Sequence, residues 1–247
     1  MGKYILSIDQ GTTGTRVILF NHDGMVHSSA YREIKQIFPN PGWVEHDPDE
    51  YWETTMACAE EALEKGSARP DEIAGIGITC QRETTVMWDR ETGRPVYNAI
   101  VWQSRQSASI CEDLKAQGHE EKIKAKTGLL IDAYFSATKI KWIMDNIPGV
   151  KEKVRSGKVL MGNIDSWLIW KLSGGACHVE DYSNASRTML LNIHTLKWDE
   201  ELLDIMGIPE HILPEVKPSS GVMATTSKDV FFGQEIPIAG DAGDQHA

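Results

Sequence analysis

The sequence predicts a mixed α/β domain, and three observations lead to this fold class. Short β-rich runs near the amino end alternate with tight turns, a pattern typical of an antiparallel meander. A segment with clear helix start signals follows, and after it comes a continuous apolar run that indicates a buried strand. Meander, helix and buried strand in this order predict a mixed sheet flanked by helices. The 247 residues suffice for one large domain or two small ones.

The predicted meander has three strands. Residues 4–8 form the first strand, residues 11–14 a tight turn, and residues 15–21 the returning strand. A second turn at 21–24 leads to a third strand over about 25–34. Glycine, asparagine and aspartate in both turns are the residues that tight turns favour. The amino-terminal part of the chain is therefore predicted to be a sheet with antiparallel neighbours.

The first helix is predicted to start at Asp47. This aspartate is an N-cap residue, Pro48 suits the first helical position, and Glu50 three residues after the cap completes a capping box. Apolar side chains then recur at helical spacing. They are Trp52, Met56, Ala59 and Leu63.

The rest of the chain contains further strands and more helices. Predicted strands cover residues 73–80, 85–89, 95–101 and 236–239, and the second and third of them are joined by a turn at 90–93. Predicted helices cover residues 108–115, 120–127, 136–146 and 163–172. Pro148 ends the third of these helices, and Gly174 with Gly175 closes the fourth. The acidic run 199–201 is interpreted as the solvated first turn of a helix rather than as a metal site.

Composition excludes several functional classes. The net charge of −11 makes nucleic acid a poor partner. No run approaches the roughly eighteen uninterrupted apolar residues of a membrane span. The four cysteines are scattered and form no CxxC pair, which argues against a zinc or dithiol site and fits a reducing cytoplasm. Cys58 and Cys80 fall in apolar segments and are predicted to be core residues.

Two acidic glycine turns carry the strongest chemical signal. Asp9 stands before the turn bounded by Gly11 and Gly14, and Asp244 follows Gly243 near the end of the chain. Carboxylates at strand ends can hold Mg²⁺ or accept a hydroxyl proton, and glycine lets backbone amides approach phosphate oxygens. This pattern predicts a phosphoryl-transfer site. The alternatives are an ordinary hairpin whose glycines supply positive φ, and an aspartate that caps a following helix.

Beyond these turns, motifs along the whole chain resemble those of one family. The matching segments are residues 8–16, 42–48, 81–85, 101–103, 132–139, 181–187 and 242–245. In this order they resemble the amino-terminal domain of the FGGY carbohydrate kinases, and within that family the members that phosphorylate glycerol. One motif alone would be a weak signal, whereas the ordered set is specific.

The resemblance implies a fold and an activity. The family fold comprises two ribonuclease H-like, actin-like domains with the active site between them, and the second domain holds most of the nucleotide site. Residues 1–247 resemble the first domain only, so the nucleotide-binding domain is expected to be absent and the isolated chain inactive. The implied reaction is ATP-dependent phosphorylation of glycerol to glycerol 3-phosphate with Mg²⁺. The implied assembly is a homo-oligomer, a dimer or a tetramer, in the cytoplasm.

The resemblance also implies a phosphate site and a metal site. Backbone amides of the first turn would grip phosphate oxygens, and an arginine would add positive charge. The residues of this phosphate turn are Gly11, Thr12, Thr13, Gly14 and Arg16. Asp9 and Asp244 are the implied Mg²⁺ ligands, with Asp9 acting through water. A lone arginine such as Arg16 is otherwise more often a surface residue.

A glycerol site is implied in the same way. Its residues are Arg82, Glu83, Trp102, Tyr134, Asp244 and Gln245. Arg82 would supply donors and Glu83 acceptors, while Tyr134 can be either. Trp102 would offer an aromatic face to the polyol carbons, and Asp244 would be the general base. The alternatives are a solvated Arg–Glu pair of little energetic value and aromatic side chains that pack in the core.

Two other functions remain open at this point. The enzyme could phosphorylate another small polyol or a ketose, or the domain could be a non-catalytic polyol-binding module. One departure from the family pattern bears on the base. Asp241 stands where relatives usually carry a small or aliphatic residue, and it is expected either to raise the pKa of Asp244 by repulsion or to point to solvent.

Overall fold

A computed structural model describes residues 3–247. The strands, in chain order, are β1 (Tyr4–Gln10), β2 (Gly14–Phe20), β3 (Val26–Glu33), β4 (Glu45–His46), β5 (Ile73–Cys80), β6 (Val86–Asp89), β7 (Ala99–Ile100), β8 (Val159–Gly162), β9 (Val179–Asp181), β10 (Leu191–Asn192), β11 (Lys197–Trp198), β12 (Glu215–Lys217), β13 (Ser220–Thr225) and β14 (Pro237–Gly243). The helices are α1 (Pro48–Lys65), α2 (Ala108–Ala116), α3 (Glu120–Thr127), α4 (Ser136–Asn146), α5 (Val150–Arg155), α6 (Ile164–Leu172), α7 (Tyr182–Ala185) and α8 (Glu200–Met206). Two short 3₁₀ helices cover Pro70–Glu72 and Glu210–Ile212.

The main sheet has the strand order β3-β2-β1-β5-β14-β13. β1, β2 and β3 form the predicted antiparallel meander, whereas β5 lies parallel to both β1 and β14. In this register Thr79 pairs with Asp9 on one side and with Ala242 on the other. The carboxyl ends of three parallel strands therefore meet at one edge of the sheet, where open α/β sheets usually bind ligands.

Two apolar cores hold the elements together. The first packs α1 and α6 against the main sheet around side chains such as Leu6, Ile76 and Trp167. The second lies among α2, α4, α5 and α8 around side chains such as Ile140 and Leu202. Cys58 and Cys80 are fully buried in the first core, as predicted. No helix among residues 3–247 combines the length and the apolar character that a membrane span needs.

Most predicted helix bounds are confirmed. α3 and α4 match the prediction residue for residue, α2 ends one residue later, and α6 begins one residue later with Asn163 as its N-cap. Gly174 and Gly175 close α6 with φ values of 66° and 84°. Asp199 accepts a hydrogen bond from the Leu202 amide and caps α8, which confirms a helix start at the acidic run.

The capping box predicted for α1 is wrong in one part. Asp47 accepts a hydrogen bond from the Asp49 amide at 2.9 Å, and Pro48 occupies the first helical position. The carboxylate of Glu50, however, accepts from the Lys35 amide at 3.0 Å. The loop before the helix thus competes successfully for the side chain that the capping box would use.

The two strands predicted at residues 85–89 and 95–101 are confirmed only in part. β6 pairs with β8, and the second strand shrinks to β7, which pairs with β4. The turn between them does form, since the Gly93 amide donates to the Asp89 carbonyl at 2.8 Å. The two segments also pair with each other irregularly, through antiparallel bridges between Thr85 and Ile100 and between Trp88 and Pro95. Pro95 has no amide to donate, which interrupts a regular ladder at this position.

Candidate functional site

A pocket of about 380 Å³ lies at the sheet edge where β5 and β14 end. It is lined by Thr12, Arg82, Glu83, Trp102, Tyr134, Asp244 and Gln245. The structure thus brings together all the side chains assigned to a polyol and adds one residue of the phosphate turn. Charged, amide, hydroxyl and aromatic groups converge on one small cavity, which is the usual composition of a specific ligand site.

Arg82 connects the end of β5 with the segment after β14. Its side chain is only 8% exposed, and its Nη2 donates to Oε1 of Gln245. Its Nε lies 3.6 Å from Oδ1 of Asp244, whose side chain is 52% exposed. That separation exceeds a hydrogen bond, so the Arg82–Asp244 contact is a solvent-screened ion pair.

Glu83 is held in an unusual backbone conformation. Its φ is 62°, in the left-handed region, and its side chain is buried. Its Oε1 accepts a hydrogen bond from Nε of Arg187 at 2.6 Å, and the Arg187 guanidinium also lies over the Tyr134 ring at 6.0 Å. Arg82 and Glu83 are therefore not the solvated pair of the alternative interpretation, because each is buried and contacts a different partner.

The two aromatic residues of the pocket form an edge contact. The ring centroids of Trp102 and Tyr134 lie 5.5 Å apart at an interplanar angle of 60°. Nε1 of Trp102 donates to Oγ1 of Thr12 at 3.0 Å, which links the pocket to the phosphate turn. Both side chains are half-buried, so each keeps surface free for a ligand, unlike aromatic residues that pack fully in a core. Burial, together with the charge of Glu83, raises the pKa of Tyr134.

Lys139 supports this pocket from behind and was not predicted. It is fully buried, and its Nζ donates to the Glu83 carbonyl at 2.9 Å and to the Tyr134 carbonyl. Burial lowers the pKa of Lys139 to about 7, although Glu83, Cys111 and Asp132 act in the opposite direction. The sequence signal that could have revealed its burial is helical spacing, because Ile143 lies one turn after Lys139 on the same face of α4.

We expect Lys139→Met to destabilise the protein in a pH-dependent way. The substitution leaves two buried carbonyls without a donor, at a cost of about 1–3 kcal/mol each. The pKa of Lys139 is about 7 in the folded protein, compared with the ordinary value of 10.5. Between these two pH values the unfolded chain binds more protons than the folded one, so the stability of the wild type rises with pH. The difference in unfolding free energy between wild type and Lys139→Met, measured by chemical denaturation, should therefore be larger at pH 9 than at pH 7.

Lys141→Met is the matched control for this prediction. Lys141 lies on the same helix but is partly exposed and forms an ion pair with Asp145 at 3.0 Å. Its loss should cost little at either pH. Equal stability changes for the two variants, or a Lys139→Met effect that is the same at pH 7 and pH 9, would contradict the proposed role of the buried Lys139 amino group.

The phosphate turn between β1 and β2 presents free backbone donors. The amides of Thr12 and Thr13 donate no hydrogen bond within residues 3–247. The carbonyls of the turn are occupied instead, since Gln36 donates to the Thr12 carbonyl at 2.9 Å and Gln81 to the Gly11 carbonyl at 3.3 Å. Two side chains that the sequence analysis missed thus orient the turn so that amide hydrogens remain available for an anion.

Glycine is required in this turn for space. Positive φ is not the reason, because neither Gly11 nor Gly14 has one. A Cβ on Gly14 would lie 2.5 Å from the Tyr31 hydroxyl and 2.6 Å from the Arg32 carbonyl. The interpretation that these glycines merely supply positive φ is therefore wrong.

Asp9 and Asp244 lie near enough to interact across the ends of their strands. Burial raises the pKa of Asp9, Arg16 partly opposes this effect, and the charge of Asp244 raises it further. Two carboxylates that repel each other at a partly exposed edge fit the ligand preference of Mg²⁺. Arg16 is exposed and stacks over the Tyr31 ring at 5.5 Å. Asp9, Gly11, Thr13, Gly14 and Arg16 lie outside the pocket lining.

Asp241 does not point to solvent, contrary to one of the two expectations. Its side chain is 2% exposed and faces the carboxylates of Asp165 and Asp181. The strand β14 continues four residues beyond its predicted end at residue 239, to Gly243, and this extension carries Asp241 into the sheet.

The comparison with known protein families decides the assignment. Residues 4–247 match the family described as "FGGY family of carbohydrate kinases, N-terminal domain". The chain belongs to the FGGY family of carbohydrate kinases. It is 59% identical over 247 residues to a glycerol kinase of Caldanaerobacter subterraneus subsp. tengcongensis and 62% identical over 247 residues to one of Bacillus licheniformis. Each match covers 100% of this chain and 50% of the relative, so the chain spans about half the length of these FGGY kinases.

Solved structures of FGGY kinases confirm the fold class. The glycerol kinase of Plasmodium falciparum, solved with ADP, superimposes with a TM-score of 0.93 at 38% identity and covers 98% of this chain and 48% of its own. The gluconate kinase of Lactobacillus acidophilus gives a TM-score of 0.88 at 25% identity, covering 99% of this chain and 48% of that chain. The mixed sheet flanked by helices is thus the ribonuclease H-like, actin-like fold implied by the resemblance.

Proposed function

We propose that this chain forms the glycerol-binding and proton-accepting half of an enzyme that transfers the γ-phosphoryl group of ATP to glycerol. The observation that carries the proposal is the pocket itself, in which every side chain assigned to the polyol lines one cavity of about 380 Å³ next to the phosphate turn. Relatives at about 60% identity are glycerol kinases, which supports this substrate. Cavities of this size and polarity suit small polar ligands.

Glycerol would be held by paired donors and acceptors. Arg82 donates to one hydroxyl, Glu83 accepts from another, and Tyr134 does either. Trp102 contacts the carbon atoms with its ring face. Because Arg187 already occupies one oxygen of Glu83 at 2.6 Å, the position of that carboxylate is set before the substrate arrives, which lowers the entropic cost of binding.

Asp244 would accept the proton of the terminal hydroxyl. As the hydroxyl oxygen bonds to the γ-phosphorus, the bond from that phosphorus to the bridging oxygen of ADP breaks, and the hydroxyl proton passes to a carboxylate oxygen of Asp244. Asp244 lies at the mouth of the pocket with half of its side chain exposed. The amide of Asp244 donates to the Cys80 carbonyl at 2.9 Å, which fixes the backbone of the base to the end of β5.

The phosphate side of the reaction would use the first turn. Asp9 and Asp244 would hold Mg²⁺, which neutralises negative charge on the phosphates when bound. The free amides of Thr12 and Thr13, together with Gly14, would meet the transferred group, and Arg16 would add positive charge. The remaining half of the family's length would supply the adenosine pocket and close over the site to exclude water. The 247-residue chain alone is therefore expected to show no kinase activity.

A calorimetric titration of the chain with glycerol tests the proposal. We expect Arg82→Ala to weaken glycerol binding roughly 10–100-fold, because a hydrogen bond from a charged donor contributes about 1.5–3 kcal/mol. Arg155→Ala is the control, since Arg155 is an exposed residue of α5 that does not line the pocket, and it should bind like wild type. Unchanged binding by Arg82→Ala would contradict the site.

Titrations with xylulose and ribulose test which class of substrate the pocket prefers. A xylulose kinase of Lactobacillus acidophilus shares this fold with a TM-score of 0.86 at 26% identity, so a ketose is the competing substrate class. Binding of a ketose in preference to glycerol would transfer the assignment to that class. Failure of glycerol and both ketoses to bind would contradict a preformed pocket in this half of the enzyme.

A further inference from the structure

Three buried aspartates from three different elements meet beneath the strand that leads to Asp244. Asp165 lies in the first turn of α6, Asp181 ends β9, and Asp241 lies in β14. One carboxylate oxygen from each lies within 4.8 Å of the others, and none of the three residues is more than 2% exposed. This cluster is separate from the polyol pocket, whose lining contains none of these residues.

Only one of the three carboxylates is satisfied by hydrogen bonds. Asp181 accepts from the Ser183 amide at 2.8 Å, from the Asn184 amide at 2.9 Å and from the Ser219 hydroxyl at 2.7 Å. The four carboxylate oxygens of Asp165 and Asp241 accept no hydrogen bond from any residue that the structure describes. Burial and then the charge of Asp181 raise the pKa of Asp165. The Asp241 carboxyl and the amides of Ser166 and Asp181 lie close enough to oppose this rise, but they do not reach hydrogen-bond geometry.

No positive side chain in the described part of the chain neutralises this charge. None of the ion pairs formed within residues 3–247 involves Asp165, Asp181 or Asp241. A fourth buried carboxylate, that of Glu180, lies nearby: burial raises its pKa, and the charges of Asp165 and Asp181 raise it further. Its Oε1 accepts from Asn163 at 2.6 Å, and its Oε2 has no partner among residues 3–247. Each unpaired charge taken out of water costs several kcal/mol, so the cluster needs either bound protons or a cation.

We propose that Asp165, Asp181 and Asp241 bind one hard divalent cation of the Ca²⁺, Mg²⁺ or Mn²⁺ class. The donors are all carboxylate oxygens, the ligands that these ions prefer. Ligand oxygens lie about 2.1–2.5 Å from such an ion, so two of them can be at most about 5 Å apart. The three aspartate oxygens lie within 4.8 Å of one another and therefore satisfy this limit. The unpartnered oxygens of Asp165 and Asp241 supply the lone pairs that such an ion needs.

The cation would join three elements that otherwise meet through repelling charges. α6, β9 and β14 converge on it, and the Gly243 amide, two residues after Asp241, donates to the Ser183 hydroxyl at 2.8 Å. The site would therefore hold the end of β14, from which Asp244 extends. Its existence does not rest on the proposed kinase function.

The test is thermal unfolding of the 247-residue chain after dialysis against a chelator, with and without CaCl₂, MgCl₂ or MnCl₂. At a concentration about 100 times Kd, the preferred cation should raise Tm by roughly 5–10 °C. Inductively coupled plasma mass spectrometry should find one such cation per chain. Asp241→Ala should lose both the shift and the bound ion. This variant is expected to fold, because it removes a buried carboxylate that accepts no hydrogen bond within residues 3–247; Asp165→Asn is the second variant.

Two controls separate this site from others. Asp204→Asn removes an exposed carboxylate of α8, and Asp244→Asn removes one of the carboxylates proposed for Mg²⁺ at the phosphate edge. Both should keep the Tm shift and the stoichiometric ion. A Tm that no cation changes, together with less than a tenth of an ion per chain, would show that the cluster holds protons and would overturn the proposal. A shift that persists in Asp241→Ala would also overturn it.

Discussion

Asp244→Asn should lower kcat for glycerol phosphorylation by roughly 10²–10⁴-fold, the usual contribution of a general base. The amide cannot accept the hydroxyl proton, whereas its size and its half-exposed position leave the pocket walls in place. The assay requires a full-length form that includes the part present in the relatives, because this chain spans 50% of their length. Steady-state kinetics with varied glycerol then separate kcat from KM.

Glycerol binding should change much less than turnover. The ion pair between Asp244 and Arg82 has a separation of 3.6 Å and one half-exposed partner, so its loss should alter KM only a few-fold. Asp204→Asn, at an exposed position on α8, should match wild type in both constants. Turnover by Asp244→Asn within about tenfold of wild type would exclude this residue as the base.

Local sequence signals were sufficient to predict a helix or strand whose formation depends mainly on its own residues. The bounds of α3 and α4 match the predicted ranges, with Pro148 marking the end of α4, and β5 follows from a continuous apolar run. Glu50 shows the limit, because its choice between the helix cap and the Lys35 amide depends on how a loop packs. The short strand β7 shows the same limit, since its partner β4 lies more than fifty residues earlier in the chain.

The candidate site was predicted as a set of residues, but its supports were not. The resemblance to the FGGY kinases named the side chains that line the pocket. Lys139 and Arg187 hold Glu83 by its carbonyl and its carboxylate. The helical spacing of Lys139 to Ile143 indicates a shared face, but nothing local to either residue indicates a contact with Glu83. The sequence analysis identified Asp241 as a departure from the family pattern but did not predict that it is buried. Its burial follows from the extra length of β14, which depends on pairing with β5. Contacts between distant segments decide all three.

Gly243→Ala should weaken glycerol binding about as much as Arg82→Ala, roughly 10–100-fold. A Cβ at this position would lie 2.3 Å from Cδ and 2.5 Å from Cγ of Arg82. These atoms are in the middle of the side chain, so the whole guanidinium must move. The side chain cannot relax into solvent without leaving Gln245, its present hydrogen-bond partner. Calorimetry of the isolated chain with glycerol measures the effect.

Gly240→Ala is a matched control on the same strand. There the nearest atom to an added Cβ is Cα of Gly77 at 3.8 Å, an ordinary van der Waals distance. Both variants remove one glycine from β14 and reduce the backbone freedom of the unfolded chain equally. A difference in glycerol affinity between them therefore reports the position of Arg82 rather than the strand. Equal affinities, with both proteins folded by circular dichroism, would mean that Arg82 does not need its present position to bind the polyol.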